Sequence, residues 1–174
     1  MNRRFVSPLI RLVDRLAPPE RVSAHCDVPC GIYDPHTAQI AALTVLRMNQ
    51  LLAAMEPPNL ADAAARNASL NSAARYIATK EAHAEVCKKE LDILWHDYFR
   101  PEHLEKYPDL HTKFWNANKL ASKNKQTADV AAAEQLLAAT REIAEIFWAT
   151  KNVPTRVAGS NQTVGGDLVY VNNK

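Results

Sequence analysis

"DPHTAQIAALTVLRMNQLLAAMEPPN", Asp34 to Asn59, is the stretch on which the reading of the fold turns. Asp34 is a good N-cap type, and Pro35 suits the first helical position, where a missing N–H is no loss. Ile40, Leu43, Met48, Leu51, Leu52 and Met55 then line one apolar face, and Pro57-Pro58 stops the helix. Asn59 with Asp62 restarts a long helical stretch, with its best stripe at Ile77, Ala84, Cys87, Leu91, Leu94, Trp95 and Tyr98. "YFRPEHLEKYP" breaks that stretch, and Pro108 opens a short third helix carrying Leu110, Phe114 and Leu120. "SKNKQT" reads as a polar turn. Thr127 then caps a fourth helix that turns Val130, Leu136, Leu137, Ile143 and Phe147 inward, with Trp148 at its margin. Four amphipathic helices with short links predict an all-α fold, an antiparallel four-helix bundle.

Composition agrees. The chain has 174 residues, one domain by length, and enough to bury a real core. Apolar residues make up 47% and there are only four glycines, a balance that favours helix over sheet. The tail from Asn152 differs. It holds three of those glycines and two short β-like runs around Gly165-Gly166, either a loose extension or a small hairpin. Net charge is +2 but unevenly spread. Of 21 basic and 19 acidic residues, five and two fall in residues 1–24, which leaves 16 and 17 for the rest. No basic face and no Gly/aromatic signature points to nucleic acid. No apolar run approaches the ~18 residues that span a membrane. Three cysteines are too few for a disulfide framework, so the expectation is a reducing compartment, the cytoplasm, or thiols kept for metal or redox work.

Before the first helix stands "HCDVPCGIYDP", His25 to Pro35, with two of the three cysteines four residues apart and a histidine directly ahead of the first. Pro29 and Gly31 favour a turn that brings both sulfurs to one point. Zinc would want four side-chain ligands, and this segment offers three. The 24 residues ahead of it repeat Phe5, Leu9, Leu12, Val13 and Leu16 at roughly helical spacing and end in Pro18-Pro19 and Val22-Ser23-Ala24. They read as an ordinary amphipathic N-terminal helix or as a pro-segment to be removed; Arg11, Asp14 and Arg15 spoil a secretory apolar centre. Cleavage before His25 would free an α-amine with a pKa of roughly 7.7–8. That amine, the Cys26 amide nitrogen and the two sulfurs would make a planar N2S2 set, which suits Ni(II) or Cu(II), with the His25 ring as an axial fifth donor.

This hook resembles that of the nickel-containing superoxide dismutases, whose mature chains begin H-C-D-x-P-C-G-x-Y-D-P. "LWHDYFRPEHLEKYPDLH", Leu94 to His111, is similar to a second block of that family, and "IFWATK", Ile146 to Lys151, to a third. The likeness runs over about residues 25–151. It implies a leader over residues 1–24 removed by a dedicated peptidase, a hook-bearing four-helix bundle over 25–151, and a 152–174 extension outside the pattern. It also implies a homohexamer and a nickel ion cycling between +2 and +3 while two superoxide ions and two protons become dioxygen and hydrogen peroxide. The implied metal ligands are the His25 amine and imidazole, the Cys26 amide and thiolate, and the Cys30 thiolate. Tyr33 would stand beside the open face of the metal, Asp27 would hold the hook, and the tight turn implies a cis Val28–Pro29 bond. The glutamate and arginine that steady the axial histidine in better-known members correspond by position to Ala41 and His83. His83 or another subunit would then supply that support.

The other candidates read as structure. Cys87 belongs to an apolar stripe and to the core. His96, His103 and His111 flank an aromatic-rich loop as packing or surface residues. Trp95, Tyr98, Phe99, Tyr107 and Trp115 read as bundle and interface packing, and Asp97 and Glu102 as capping or loop contacts. A nickel or copper carrier or sensor built on the same hook is the alternative function. A thiol–disulfide switch between Cys26 and Cys30 is a third.

Overall fold

The computed structural model describes residues 31–172. The expectations for the leader, for His25, Cys26, Asp27 and Cys30, and for the Val28–Pro29 bond lie outside the described residues. Helix α1 spans His36–Ala53, α2 spans Ala63–Ile93, and a single π-helical turn, Leu94–Tyr98, continues α2. Then follow α3 (Pro101–Lys106), α4 (Leu110–Gln126) and α5 (Val130–Thr150), and finally β1 (Thr155–Gly159) and β2 (Asp167–Val171).

Side-chain caps set several of these boundaries, some of them shifted from where the sequence put them. Asp34 accepts the His36 N–H at 2.7 Å, so it closes an Asx turn and Pro35, not Asp34, takes the N-cap place. Asp62 accepts from the Ala64 and Ala65 amides and opens α2 as expected. Thr127 does not cap α5. Its hydroxyl donates back to the Lys123 carbonyl and ends α4, while Asp129 caps α5 by accepting the Ala132 N–H at 3.0 Å. Most of "SKNKQT" is therefore the last turn of α4, where lysines suit the negative end of the helix dipole. The break after Tyr98 contains a short helix of its own, six residues begun by Pro101.

Helix α1 packs on α2 and α5, and α4 packs on the same two, so the four long helices close a cycle. Leu43, Leu91, Leu110, Phe114, Leu136 and Phe147 fill its interior. The inward face of α1 is richer in small and amide residues than the apolar pattern suggested: Ala38, Gln39, Ala41, Ala42, Leu43, Val45, Leu46 and Asn49 are buried, whereas Ile40 remains 39% exposed. Ile77 is likewise 42% exposed. Alanines let backbones approach closely, so the tightest contact face is not the bulkiest one. At 31 residues α2 is ~46 Å long against ~26–32 Å for its three long partners.

One end of the helical body is locked by buried amides. Asn49 Nδ2 donates to Asn124 Oδ1 at 3.1 Å, Asn49 Oδ1 accepts the Asp129 N–H at 3.0 Å, and Asn124 Nδ2 donates to the Ala132 carbonyl at 2.9 Å. Close by, buried Lys80 donates its ammonium to the Thr127 carbonyl. Burial lowers the Lys80 pKa from its ordinary value, with Glu81 opposing the shift.

The tail is a hairpin. β1 and β2 pair antiparallel from Thr155↔Val171 to Gly159↔Asp167. Leu168 and Val169 are buried, and Asp167 pairs with Arg141 of α5 at 3.4 Å. Among the described residues no helix is long and apolar enough to cross a membrane.

Candidate metal centre

The described chain begins at Gly31, directly after Cys30, with φ at +71°. Glycine adopts that backbone without the strain a side chain would bring, so this residue suits the position directly after the second cysteine. Ile32 is exposed; Tyr33 is half-buried, with its ring 5.7 Å from Tyr98 and tilted 56° to it. Pro35 is buried against the helical body. The five residues from Gly31 to Pro35 thus run from the hook into the first turn of α1.

Tyr98 is the centre of what surrounds Tyr33. The π turn is closed by the Phe99 N–H bonding to the Leu94 carbonyl, one residue further back than in an α-helix. That extra residue turns Tyr98 onto Phe147 (centroids 4.5 Å apart), Phe99 (5.1 Å) and His103 (5.6 Å, stacked). The Tyr98 hydroxyl shares a 2.6 Å hydrogen bond with Thr150 Oγ1, whose own hydrogen-bonding geometry also reaches the Phe147 carbonyl. Lys151 closes the group, with its ammonium 4.8 Å from the Phe147 ring centroid and 5.3 Å from that of Tyr98. Both blocks singled out in the sequence, Leu94–His111 and Ile146–Lys151, therefore meet beside Tyr33.

The other histidines named in the sequence make contacts of their own. His83 Nδ1 lies 2.9 Å from the Thr79 carbonyl of its own helix, and Ala41 is 2% exposed. His96 Nδ1 bonds the Asp92 carbonyl, His103 Nδ1 accepts the Arg100 N–H in the capping of α3, and His111 meets Trp95 edge-on at 5.5 Å. Among the described residues no group of three or more His, Cys, Asp or Glu could hold a metal ion. Cys87 is fully buried, and burial pushes its thiol up to about 12, with Glu90 adding to the shift. It is a core residue, as its place on an apolar stripe implied. Trp95, Tyr98, Phe99 and Tyr107 pack on or in the core, whereas Trp115 is 57% exposed under the Lys119 ammonium. Asp97 and Glu102 are exposed near the start of α3.

The sequence profile of one family, nickel-containing superoxide dismutase, matches residues 20–151, a span that contains the cysteine hook, Tyr33 and both aromatic blocks. The chain belongs to that family. The nickel superoxide dismutase of Streptomyces seoulensis is 42% identical over 135 residues, 78% of this chain and 94% of the relative. That of Streptomyces coelicolor is 38% identical over the same lengths. A crystal structure of a nickel-containing superoxide dismutase, in a ligation state after partial X-ray-induced reduction, superposes with a TM-score of 0.64 at 39% identity, covering 74% of this chain and 99% of that one. The chain is thus a member of a nickel-dependent oxidoreductase family. The match ends at Lys151, just before the hairpin.

Tyr98, Thr150 and Lys151 gain a part that the sequence reading did not give them. Tyr98 read only as packing, because what separates it from other helical aromatics is the π turn, and no composition rule marks one. Its signal was its place inside the second block.

Proposed function

We propose that this chain is a nickel superoxide dismutase in precursor form, activated when residues 1–24 are removed and His25 becomes the N-terminus. The observation that carries the reading is that the family match, residues 20–151, spans both the hook and the aromatic cluster beside Tyr33. The donor set fits the metal. The thiolates of Cys26 and Cys30, the amine freed at His25, the deprotonated Cys26 amide and the His25 imidazole would hold the ion, and such strong N and S donors suit nickel. When bound, nickel supplies a one-electron couple between +2 and +3.

The chain's own residues do the rest. Asp27 would help hold the hook. Tyr33 orients superoxide and water beside it, its ring braced by Tyr98. Superoxide is small and anionic, so little shape recognition is needed, and the Lys151 ammonium beside Tyr98 adds attractive field at this end of the body. The long helices form an antiparallel four-helix bundle with the hook at its N-terminus, over residues 25–151, and the protein assembles as a cytoplasmic homohexamer after a leader-processing peptidase has acted. Ala41 carries no polar group, so support for the His25 ring comes from His83 or from a neighbouring subunit.

The test is intact mass, metal content and superoxide consumption on one preparation. The mass is expected to correspond to cleavage between Ala24 and His25, with one nickel per chain and turnover dependent on it. Cys26→Ser and Cys30→Ser are each expected to abolish the Ni(III) electron paramagnetic resonance signal, since a hydroxyl is a much poorer donor than a thiolate. Full nickel loading without turnover would leave a carrier or sensor instead. Activity in a variant that keeps one extra residue before His25 would leave a thiol switch.

A further inference from the structure

The hairpin lies beyond the family match, yet it grips the helix that carries the hook. The Val169 N–H donates to Gln39 Oε1 at 2.7 Å, and Gln39 Nε2 donates to the Val169 carbonyl at 3.5 Å. One side-chain amide therefore takes the place of a neighbouring strand on the outer edge of β2. Gln39 is 1% exposed, and its own N–H bonds the Pro35 carbonyl at 3.3 Å, so it sits in the turn where the chain enters α1. Further along the same helix face, Gln50 Nε2 donates to the Val164 carbonyl at 3.1 Å. Between these two anchors Gly166 presses on α1 and α5: a Cβ there would lie 3.0 Å from Leu137 Cδ2 and 3.1 Å from Leu43 Cδ1. Residues 39, 43, 46 and 50 are one stripe at helical spacing, and the hairpin reads all of it. A buried amide satisfied on both ends is directional in a way that apolar contact is not.

We propose that the C-terminal hairpin is a clamp on the root of the metal hook, with Gln39 and Val169 as positioning residues that set the direction in which Gly31–Pro35, and with them Tyr33, leave the helical body. Two supports then converge on Tyr33. One runs through Pro35 and Gln39 to β2, and the other through Tyr98 and Thr150 to the helix end from which β1 departs. The clamp rests on the dismutase reading for its consequence in turnover, but its mechanical part does not.

Hydrogen exchange on the chain processed to begin at His25 and running to Lys174, measured with and without nickel, tests it. Gln39→Met keeps the buried volume and removes both bonds. Gly166→Val pushes the hairpin off Leu43 and Leu137. In both variants the amides of residues 40–43 are expected to exchange roughly tenfold faster, the order expected for losing one or two buried hydrogen bonds, while those around Asn124 in α4 keep their parent rates. Nickel content should stay within about twofold of the parent while the Ni(III) resonance line shape changes and turnover falls several-fold more than KM shifts. Parent-like exchange at 40–43, or a rise spread evenly over all helices, overturns the clamp. If the parent protein binds nickel and does not dismutate, the functional reading fails while the exchange data still judge the clamp.

Discussion

Removing the amide of Asn49 should weaken the end of the body remote from the start of α1 more than any loss of apolar area there would suggest. Asn49 is 1% exposed and serves three partners: the Val45 carbonyl, Asn124 Oδ1 and the Asp129 N–H. In Asn49→Ala the buried Asn124 oxygen and the part-buried Asp129 amide lose that partner. Each orphaned group costs roughly 1–3 kcal/mol, so the sum is about 3 kcal/mol, with a water entering the vacated space moving it toward the lower end. For a domain of this size that is a fall in Tm of roughly 6–12 °C. Thermal and urea unfolding followed by circular dichroism at one fixed protomer concentration measures it, with Asn67→Ala on the exposed side of α2 as a control expected within about 0.5 kcal/mol of the parent. Because Asn49 and Asn124 act through one another, combining Asn49→Ala with Asn124→Ala should cost less than the sum of the two. A loss under about 0.5 kcal/mol for Asn49→Ala, or strict additivity in the pair, would refute the account of this end as a coupled amide lock.

Tyr33→Phe should keep nickel and lower turnover by less than about tenfold, ~1.4 kcal/mol on the barrier, because the ring contact with Tyr98 survives and only the hydroxyl goes; loss of the metal itself would count against its place beside the site. Cys87, with its thiol raised to about 12, should stay unmodified when metal-free, reduced native protein meets a maleimide near pH 8, and react only in denaturant. Three labels under native conditions would contradict the burial. Asp129 has its carboxyl held below the usual carboxylate range, chiefly by the Ala132 N–H and then by Lys123. A depressed carboxyl contributes stability above its unfolded pKa, and that contribution is lost as pH falls through the folded one. Urea midpoints for the parent and Asp129→Asn should therefore differ at pH 7 and converge below about pH 4. A difference independent of pH would mean that the charge plays no part.

Much of this protein is local in origin. The described helices follow from alanine-rich amphipathic runs bounded by Asp34, Asp62, Asp129 and Pro57-Pro58, because capping and φ restriction act within a few residues of chain. The hook is local too: Cys26, Cys30 and the amine that cleavage would free at His25 are five residues apart at most, so their shared chemistry can be read without knowing what lies across the fold. Whatever required two distant segments to meet stayed hidden until the tertiary structure placed them. Nothing local in the sequence sets Gln39 apart, and only the arrival of Val169 from 130 residues away makes it a buried anchor. Tyr98 looked like one aromatic among several until a one-residue π turn aimed it at Tyr33. The tail could be a loose extension or a hairpin on its own evidence, since two five-residue strands are marginal alone. Burial of Leu168 and Val169 against the helices decides the matter, because that contact, and no preference within the strands, supplies the stability that the isolated hairpin lacks.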